Sequence, residues 1–359
     1  MNGHRSRDEY GRRKFNDGKL VKRDDVKKKP PRVRLIFVVC LLVSLSALAL
    51  QLSQHFFGYH ADDVAALRRI KSENDLQNNL NWSGRDYALW QGVTWSEPPG
   101  ERRVMGLLLE DEGLTGTLSL AGLPHIREIT LHYNDLTGLD VAMATNLIYL
   151  RCEGNELREL NVAPLTKLVA LFCSYNELTA LDVAPLTDLT VFHCAWNRIE
   201  ALDVRRLASL KHFICSGNRL KSLDISGLLS LESLGYGYND LAALDISVLK
   251  NPENLRNLYC DDMGLRRLDV AGFANLERLS CSSNDLTELD VSRNLALREL
   301  ECASNGLTRL DIGNLTELVT LDCSNNRLTV LDLSGAPNLT ELETSGNDLQ
   351  RPSYGLGTL

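Results

Sequence analysis

Leu168-Val-Ala-Leu171-Phe-Cys173-Ser-Tyr-Asn176-Glu-Leu178-Thr-Ala-Leu181-Asp182 decides the fold, because the same phrase returns along the chain with an asparagine every 21 residues. That asparagine stands at Asn134, Asn155, Asn176, Asn197, Asn218 and Asn239, and again at Asn284, Asn305, Asn326 and Asn347. Self-similarity at a fixed period makes each unit one turn of a solenoid, whose apolar side chains are buried only by stacking on neighbouring turns. Around Leu171 to Cys173 the residues alternate as in a strand: Leu171 and Cys173 point inward, while Ala170, Phe172 and Ser174 point outward. Such strands are expected to build one parallel sheet. Leu178 and Leu181 bring the chain back across the core, each contributing on the order of 1.5–3 kcal/mol on burial. Asn176 falls where the strand ends, where its carboxamide can bond backbone groups of its own and the adjacent turn.

The phrase L-x-x-L-x-C-x-x-N-x-L-x-x-L-D resembles the leucine-rich repeat family, in its short bacterial type with Cys at the third inward position. The resemblance covers roughly Val104 to Leu349, about two-thirds of the chain. It implies an α/β-type solenoid, an arc with one parallel β-sheet on its concave face, and a surface that usually binds protein.

The cysteines follow the same register. Eight of the nine, Cys152, Cys173, Cys194, Cys215, Cys260, Cys281, Cys302 and Cys323, occupy one inward slot, filled elsewhere by Leu131, Tyr236 or Thr344. Neighbouring slots would lie about 4.8 Å apart, within disulfide reach by distance, but side-by-side Cβ vectors give a poor torsion. A ladder of small buried hydrophobes is the expected role, with metal binding and a disulfide framework as the alternatives. One turn is irregular. Between Asp245 and Leu255 the stretch Ser247-Val-Leu-Lys-Asn-Pro-Glu-Asn254 carries three extra residues, and Met263 replaces the next asparagine. A kink or bulge on the convex side is expected there.

Residues 1–34 hold 13 Lys and Arg against five Asp and Glu, with no apolar period, and are expected to form a disordered, cytoplasmic tail. Residues 35–52 follow as an uncharged apolar run, just long enough to span a bilayer; its cationic leading flank keeps the N-terminus inside. We therefore expect a transmembrane signal anchor over 35–55, Cys40 within it as a membrane-facing filler, and extracytoplasmic repeats. Ala47-Leu-Ala49 offers a signal-peptidase site, so cleavage to a secreted or periplasmic protein is the alternative. The net charge is −8, and the +8 of the tail leaves −16 for residues 35–359, which argues against nucleic-acid binding.

Residues 56–103 read as a cap. Ala61-Asp-Asp-Val-Ala-Ala-Leu-Arg-Arg-Ile-Lys71 has helical spacing with acids at its start, and Trp82, Trp90 and Trp95 supply apolar plates to seal an open solenoid end. The order Ala66-Leu67…Trp82…Trp90-Gln-Gly92-Val93-Thr-Trp95…Val104-Met-Gly-Leu107…Leu114-Thr-Gly116 resembles the N-terminal cap of plant-type leucine-rich repeat receptors. It departs at Ala88 and Trp95, where that family has paired cysteines, so this cap must rely on packing. An exported domain without a disulfide candidate suits a weakly oxidising, bacterial source. The repeats end at Leu349, and 350–359 read as a short C-terminal cap.

No hydrolase, kinase, nucleotide-binding or zinc-protease motif is present, so no enzyme, cofactor or small-molecule substrate is expected. His193 and His212 stand diagonally on adjacent turns, two potential ligands without a third. The aspartates after each L-x-x-L, Asp140, Asp182, Asp203, Asp224, Asp245, Asp269, Asp290, Asp311 and Asp332, are expected to cap backbone amides rather than hold calcium. Sequons at Asn81, Asn314 and Asn338 matter only in a glycosylating host. The outward sheet positions collect Tyr133, Tyr149, Phe172, Tyr175, His193, Trp196, His212, Ile214, Tyr238 and Tyr259, an aromatic and apolar band that packing does not demand. Such residues anchor protein interfaces, so this band is the expected protein-binding site; ladders that merely stiffen the sheet are the alternative. Glu299, Glu301, Asp322, Glu341 and Glu343 follow as an acidic stretch, and a partner with an apolar patch beside a basic one would fit both.

Overall fold

The computed structural model describes residues 58–74, 80–83, 86–97, 101–241 and 244–349, together with two short paired strands, β1 (Phe15–Asn16) and β2 (Lys19–Leu20). The apolar run at 35–52, the Ala47–Ala49 site, Cys40 and the expected C-terminal cap at 350–359 lie outside the described residues, as does the rest of the basic tail. Among the described residues no helix is long and apolar enough to cross a membrane. The chain divides into two compact units, Met1–Leu168 with Phe172–Leu178, and Val169–Leu171 with Thr179–Leu359.

The first unit opens with helix α1 (Ala61–Glu73), whose N-cap His60 accepts the Asp62 amide on its ring and whose last turn carries Lys71. Val64, Leu67 and Ile70, three residues apart, form its buried stripe. Asp63 is fully buried; it accepts from the Arg103 guanidinium at 2.7 Å and from the Val104 amide at 2.7 Å, tying α1 to the first repeat. The tryptophans act as the plates their spacing implied. Trp82 and Trp90 stack with centroids 5.3 Å apart, and the Trp95 indole donates to the Tyr87 carbonyl at 3.1 Å. Trp95, at a position where the plant-type cap has a cysteine, is buried. Its strand β3 (Val93–Trp95) runs antiparallel to β4 (Val104–Leu108) and thereby covers the sheet edge. From β4 onward the pairing is parallel, through β6 (Glu128–Thr130) to β8 (Tyr149–Arg151), with Leu107, Ile129 and Leu150 in one rung. A separate parallel pair joins β5 (Thr115–Ser119) to β7 (Asp135–Asp140). Strand β9 (Ala170–Phe172) falls where the chain divides.

The second unit stacks eight parallel strands in chain order: β10 (Val191–His193), β11 (His212–Ile214), β12 (Ser233–Gly235), β13 (Asn257–Tyr259), β14 (Arg278–Ser280), β15 (Glu299–Glu301), β16 (Thr320–Asp322) and β17 (Glu341–Glu343). Their inward residues, from Phe192 and Phe213 to Leu321, form one file, and the two phenylalanine rings stack at 5.5 Å. The three extra residues near Asp245 do not disturb that file. Leu234 still pairs with Leu258, and the insertion is taken up in two single 3-10 turns, Ile246–Val248 and Pro252–Asn254. The extra residues are thus accommodated outside the sheet, whose register is unbroken. The longer turn directly follows Tyr236, the bulkiest occupant of the cysteine slot and 1 % exposed.

The α/β-type expectation needs correction, because among the described residues α1 is the only α-helix and the repeats themselves return without one. Apolar residues on the return path recur every three positions, as in Val183, Leu186 and Leu189, and the backbone answers with Leu186 N to Val183 O and Leu189 N to Leu186 O bonds. That is the period of consecutive tight turns, not of a 3.6-residue helix. Turns of 21 residues are closed in this way.

The recurring side chains behave as a ladder. Asn326 donates to the carbonyls of Cys302 in the preceding turn and Cys323 in its own, and accepts the Leu307 amide, all at 3.0 Å. The eight described cysteines form no disulfide and are buried in both units. Burial pushes the Cys260 thiol up to about 12 and that of Cys323 up to about 11, so neither is a thiolate at neutral pH. The aspartate row caps amides two residues on, for example Ala142 by Asp140 and Gly313 by Asp311. Hydroxyl and amide bonds from Ser226 and Ser292 hold the Asp224 and Asp290 carboxyls below their ordinary range.

Candidate functional site

The ten aromatic and apolar residues singled out from the sequence are all half-buried, but they occupy two different kinds of position. Tyr149, Phe172, His193, His212, Ile214 and Tyr259 lie in strands and face outward, as expected. Tyr133, Tyr175, Trp196 and Tyr238 do not. They sit in the turn after the strand, each immediately before its asparagine, with φ of 59°, 58°, 57° and 56°. A bulky side chain in the left-handed region costs about 1–2 kcal/mol, because Cβ crowds the following carbonyl. The turn imposes this conformation elsewhere as well, at Asp262, Ser283, Ser304, Asn325, Gly154, Gly217 and Gly346.

In the first unit, the Tyr149 and Phe172 rings lie 5.6 Å apart, and the Arg151 guanidinium stands 5.8 Å from the Phe172 centroid. Arg151 Nε donates to Glu153 at 2.5 Å. Glu153 is only 8 % exposed although its side chain leaves the outward face, and burial pushes its carboxyl up. His132 beside it is 7 % exposed; burial, and then the Arg151 charge, hold its imidazole down to about 4. The ring is therefore neutral, with Nε2 3.0 Å from Glu110 and in place to donate to it. The sequence reading missed this buried polar group, because Arg151 and Glu153 look like ordinary outward strand residues.

In the second unit, Trp196 and Tyr238 approach to 5.4 Å across the intervening turn, which carries Gly217. Gly217 is required twice over: its φ is 68°, and a Cβ there would stand 2.6 Å from Trp196 Cδ2. His193 pairs with Ile214 and His212 with Val191, so the two histidines are diagonal neighbours as expected. Burial lowers the His212 pKa. Among the described residues no group of three His, Cys, Asp or Glu could hold a metal ion. Further along, the acidic stretch occupies β15 to β17, and the Ser280 hydroxyl lies between Asp261 at 2.6 Å and Glu301 at 2.9 Å, its single proton donated to one carboxylate at a time. Burial, and beyond it the carboxylates of Asp261, Asp322 and Glu299, push the Glu301 carboxyl up.

A scan with family models gives no match, and neither does a search of curated proteins. Solved structures do match. The functional domain of InlJ from Listeria monocytogenes, described as including a cysteine ladder, is 32% identical over 69% of this chain, with a TM-score of 0.63. The chain spans 56% of that domain's length. An internalin, InlF, also from Listeria monocytogenes, is 20% identical over 82% of this chain and 91% of its own, with a TM-score of 0.57, and shares the fold. So does the ectodomain of the plant membrane receptor kinase GASSHO1/SCHENGEN3 from Arabidopsis thaliana, solved in complex with CASPARIAN STRIP INTEGRITY FACTOR 2. It is 19% identical over 79% of this chain and 47% of its own, with a TM-score of 0.56.

Proposed function

Because this chain is a leucine-rich repeat solenoid of the short bacterial type, we propose that it binds another protein through the outward face of its sheet and performs no chemistry of its own. One observation carries the reading. Tyr133, Tyr175, Trp196 and Tyr238 hold left-handed backbone that glycine or asparagine would adopt at lower cost, and they remain half-buried rather than filling the core. Aromatic side chains kept at a conformational cost on an accessible face suit the anchors of an interface. The complex of the plant ectodomain supports the reading by analogy of fold alone. We propose further that residues 35–52 anchor the chain in a membrane with the N-terminus cytoplasmic and the repeats displayed outside for adhesion. The charge step across that run supports this.

The test is affinity capture with the full chain, comparing Phe172→Ser/Tyr175→Ser and Trp196→Ser/Tyr238→Ser variants. Loss of the same captured protein at unchanged melting temperature supports the interface; capture that both variants retain removes it. A second reading, a secreted or periplasmic scaffold or enzyme inhibitor, rests on Ala47-Leu-Ala49. A mature N-terminus near residue 50, found by mass spectrometry, would support it; an intact N-terminus would remove it.

A further inference from the structure

One file of outward residues crosses the second unit at right angles to its strands. In rung order it runs His193, Ile214, Gly235, Tyr259, Ser280, Glu301, Asp322, Glu343, each paired with the next. Its first half is apolar and smooth. Gly235 is bare and buried, and a Cβ there would meet Ile214 Cδ1 at 3.0 Å, so Ile214 leans over the glycine towards Tyr259 on the next strand. Beyond Ser280 its last three positions are all acidic. Glu301, Asp322 and Glu343 are on successive strands, about 4.8 Å apart, and among the described residues no Lys or Arg forms an ion pair with any of the three. The nearby basic side chains are engaged elsewhere, Arg278 with Glu299 at 2.8 Å and Arg256 with Glu277. Like charges placed directly side by side on adjacent strands are unfavourable, and a cation laid over them relieves that cost.

Resting on the protein-binding reading above, we infer that this file takes an extended peptide segment lying across β11 to β17. The segment would set an apolar or aromatic side chain on Ile214 and Tyr259, and Lys or Arg side chains over Glu301, Asp322 and Glu343. Register sets the spacing. From Tyr259 to Glu301 is two strand spacings, about 10 Å, and to Glu343 four, about 19 Å; an extended chain advances about 3.3 Å per residue. The basic residues therefore stand about three to six positions from the apolar anchor. Two or more of them are needed to cover the three carboxylates.

The test pans a displayed library of random peptides, about twelve residues long, enough to cross the file, against the full chain. It is repeated on a Glu301→Gln/Asp322→Asn/Glu343→Gln variant and on a Trp196→Ser/Tyr238→Ser variant. The expected peptides carry Lys or Arg three to six positions from an aromatic or aliphatic anchor. Their affinity falls about tenfold or more in the carboxylate variant, and falls steeply as salt rises from about 50 to about 500 mM only with the parent chain. Peptides enriched without basic residues, binding that the carboxylate variant keeps, or a library with no binder would each overturn the inference. Binders lost in the Trp196/Tyr238 variant but kept in the carboxylate variant would overturn it while leaving the broader protein-binding reading intact.

Discussion

Two stretches of the second unit perform the same backbone manoeuvre with different side chains. Before its asparagine, each turn passes through the left-handed region, and the earlier turns place Trp196, Gly217 and Tyr238 there, the later ones Asp262, Ser283, Ser304, Asn325 and Gly346. The later set shows what the turn alone asks for: small or polar residues that tolerate positive φ. Against that standard Trp196 and Tyr238 are costly choices, and the cost falls where the outward face is aromatic, not where it is acidic. The difference separates what the solenoid needs from what its surface is for.

The comparison breaks if the earlier turns need different scaffolding. Asn197→Ala and Asn326→Ala should destabilise alike, by about 3 kcal/mol or more, since each strips a carboxamide from buried carbonyls. Urea titration checks this; a mild effect at Asn197 alone would mean that Trp196 holds its turn by itself. The first unit gives a pH-dependent counterpart. His132 is held at about 4 when folded but returns to about 6.5 when unfolded, so the unfolded chain binds the extra proton and stability falls as pH drops through that window. A His132→Gln variant should show a flatter stability profile between those values, by up to about 3 kcal/mol.

Smaller effects sharpen the contrast. Gly217→Ala should cost about 1–2 kcal/mol, because it adds a Cβ both to a left-handed residue and against the Trp196 ring. Ser283→Gly, in the turn after β14, should stabilise by less than about 1 kcal/mol and leave capture unchanged. Calorimetry of the two variants side by side reads both shifts.

Much of this was legible beforehand for a physical reason: a residue that stacks on its own copy must recur, so the asparagine and cysteine rows announced the solenoid and its register. The capping aspartates and sealing tryptophans were legible from the demands of turns and open ends. The left-handed position was missed, although Gly154, Gly217, Asn325 and Gly346 in one slot signal it, because Tyr and Trp in the same slot look like strand residues. The burial of Glu153, and the Asp63 to Arg103 link, depend on partners 40 residues apart or on neighbouring turns, which no local pattern displays. The repeats lack helices because the apolar period of three, as in Val183, Leu186 and Leu189, matches tight turns rather than a 3.6-residue helix.

The most direct measurement is the melting temperature and partner capture of a Trp196→Asn/Tyr238→Asn variant, which gives the earlier turns the residue type of the later ones. Relief of left-handed strain should offset the lost ring packing to within about 1 kcal/mol, leaving the melting temperature nearly unchanged while capture is lost. A fall of many degrees with capture intact would mean that these rings belong to the scaffold, and the proposed interface would be wrong.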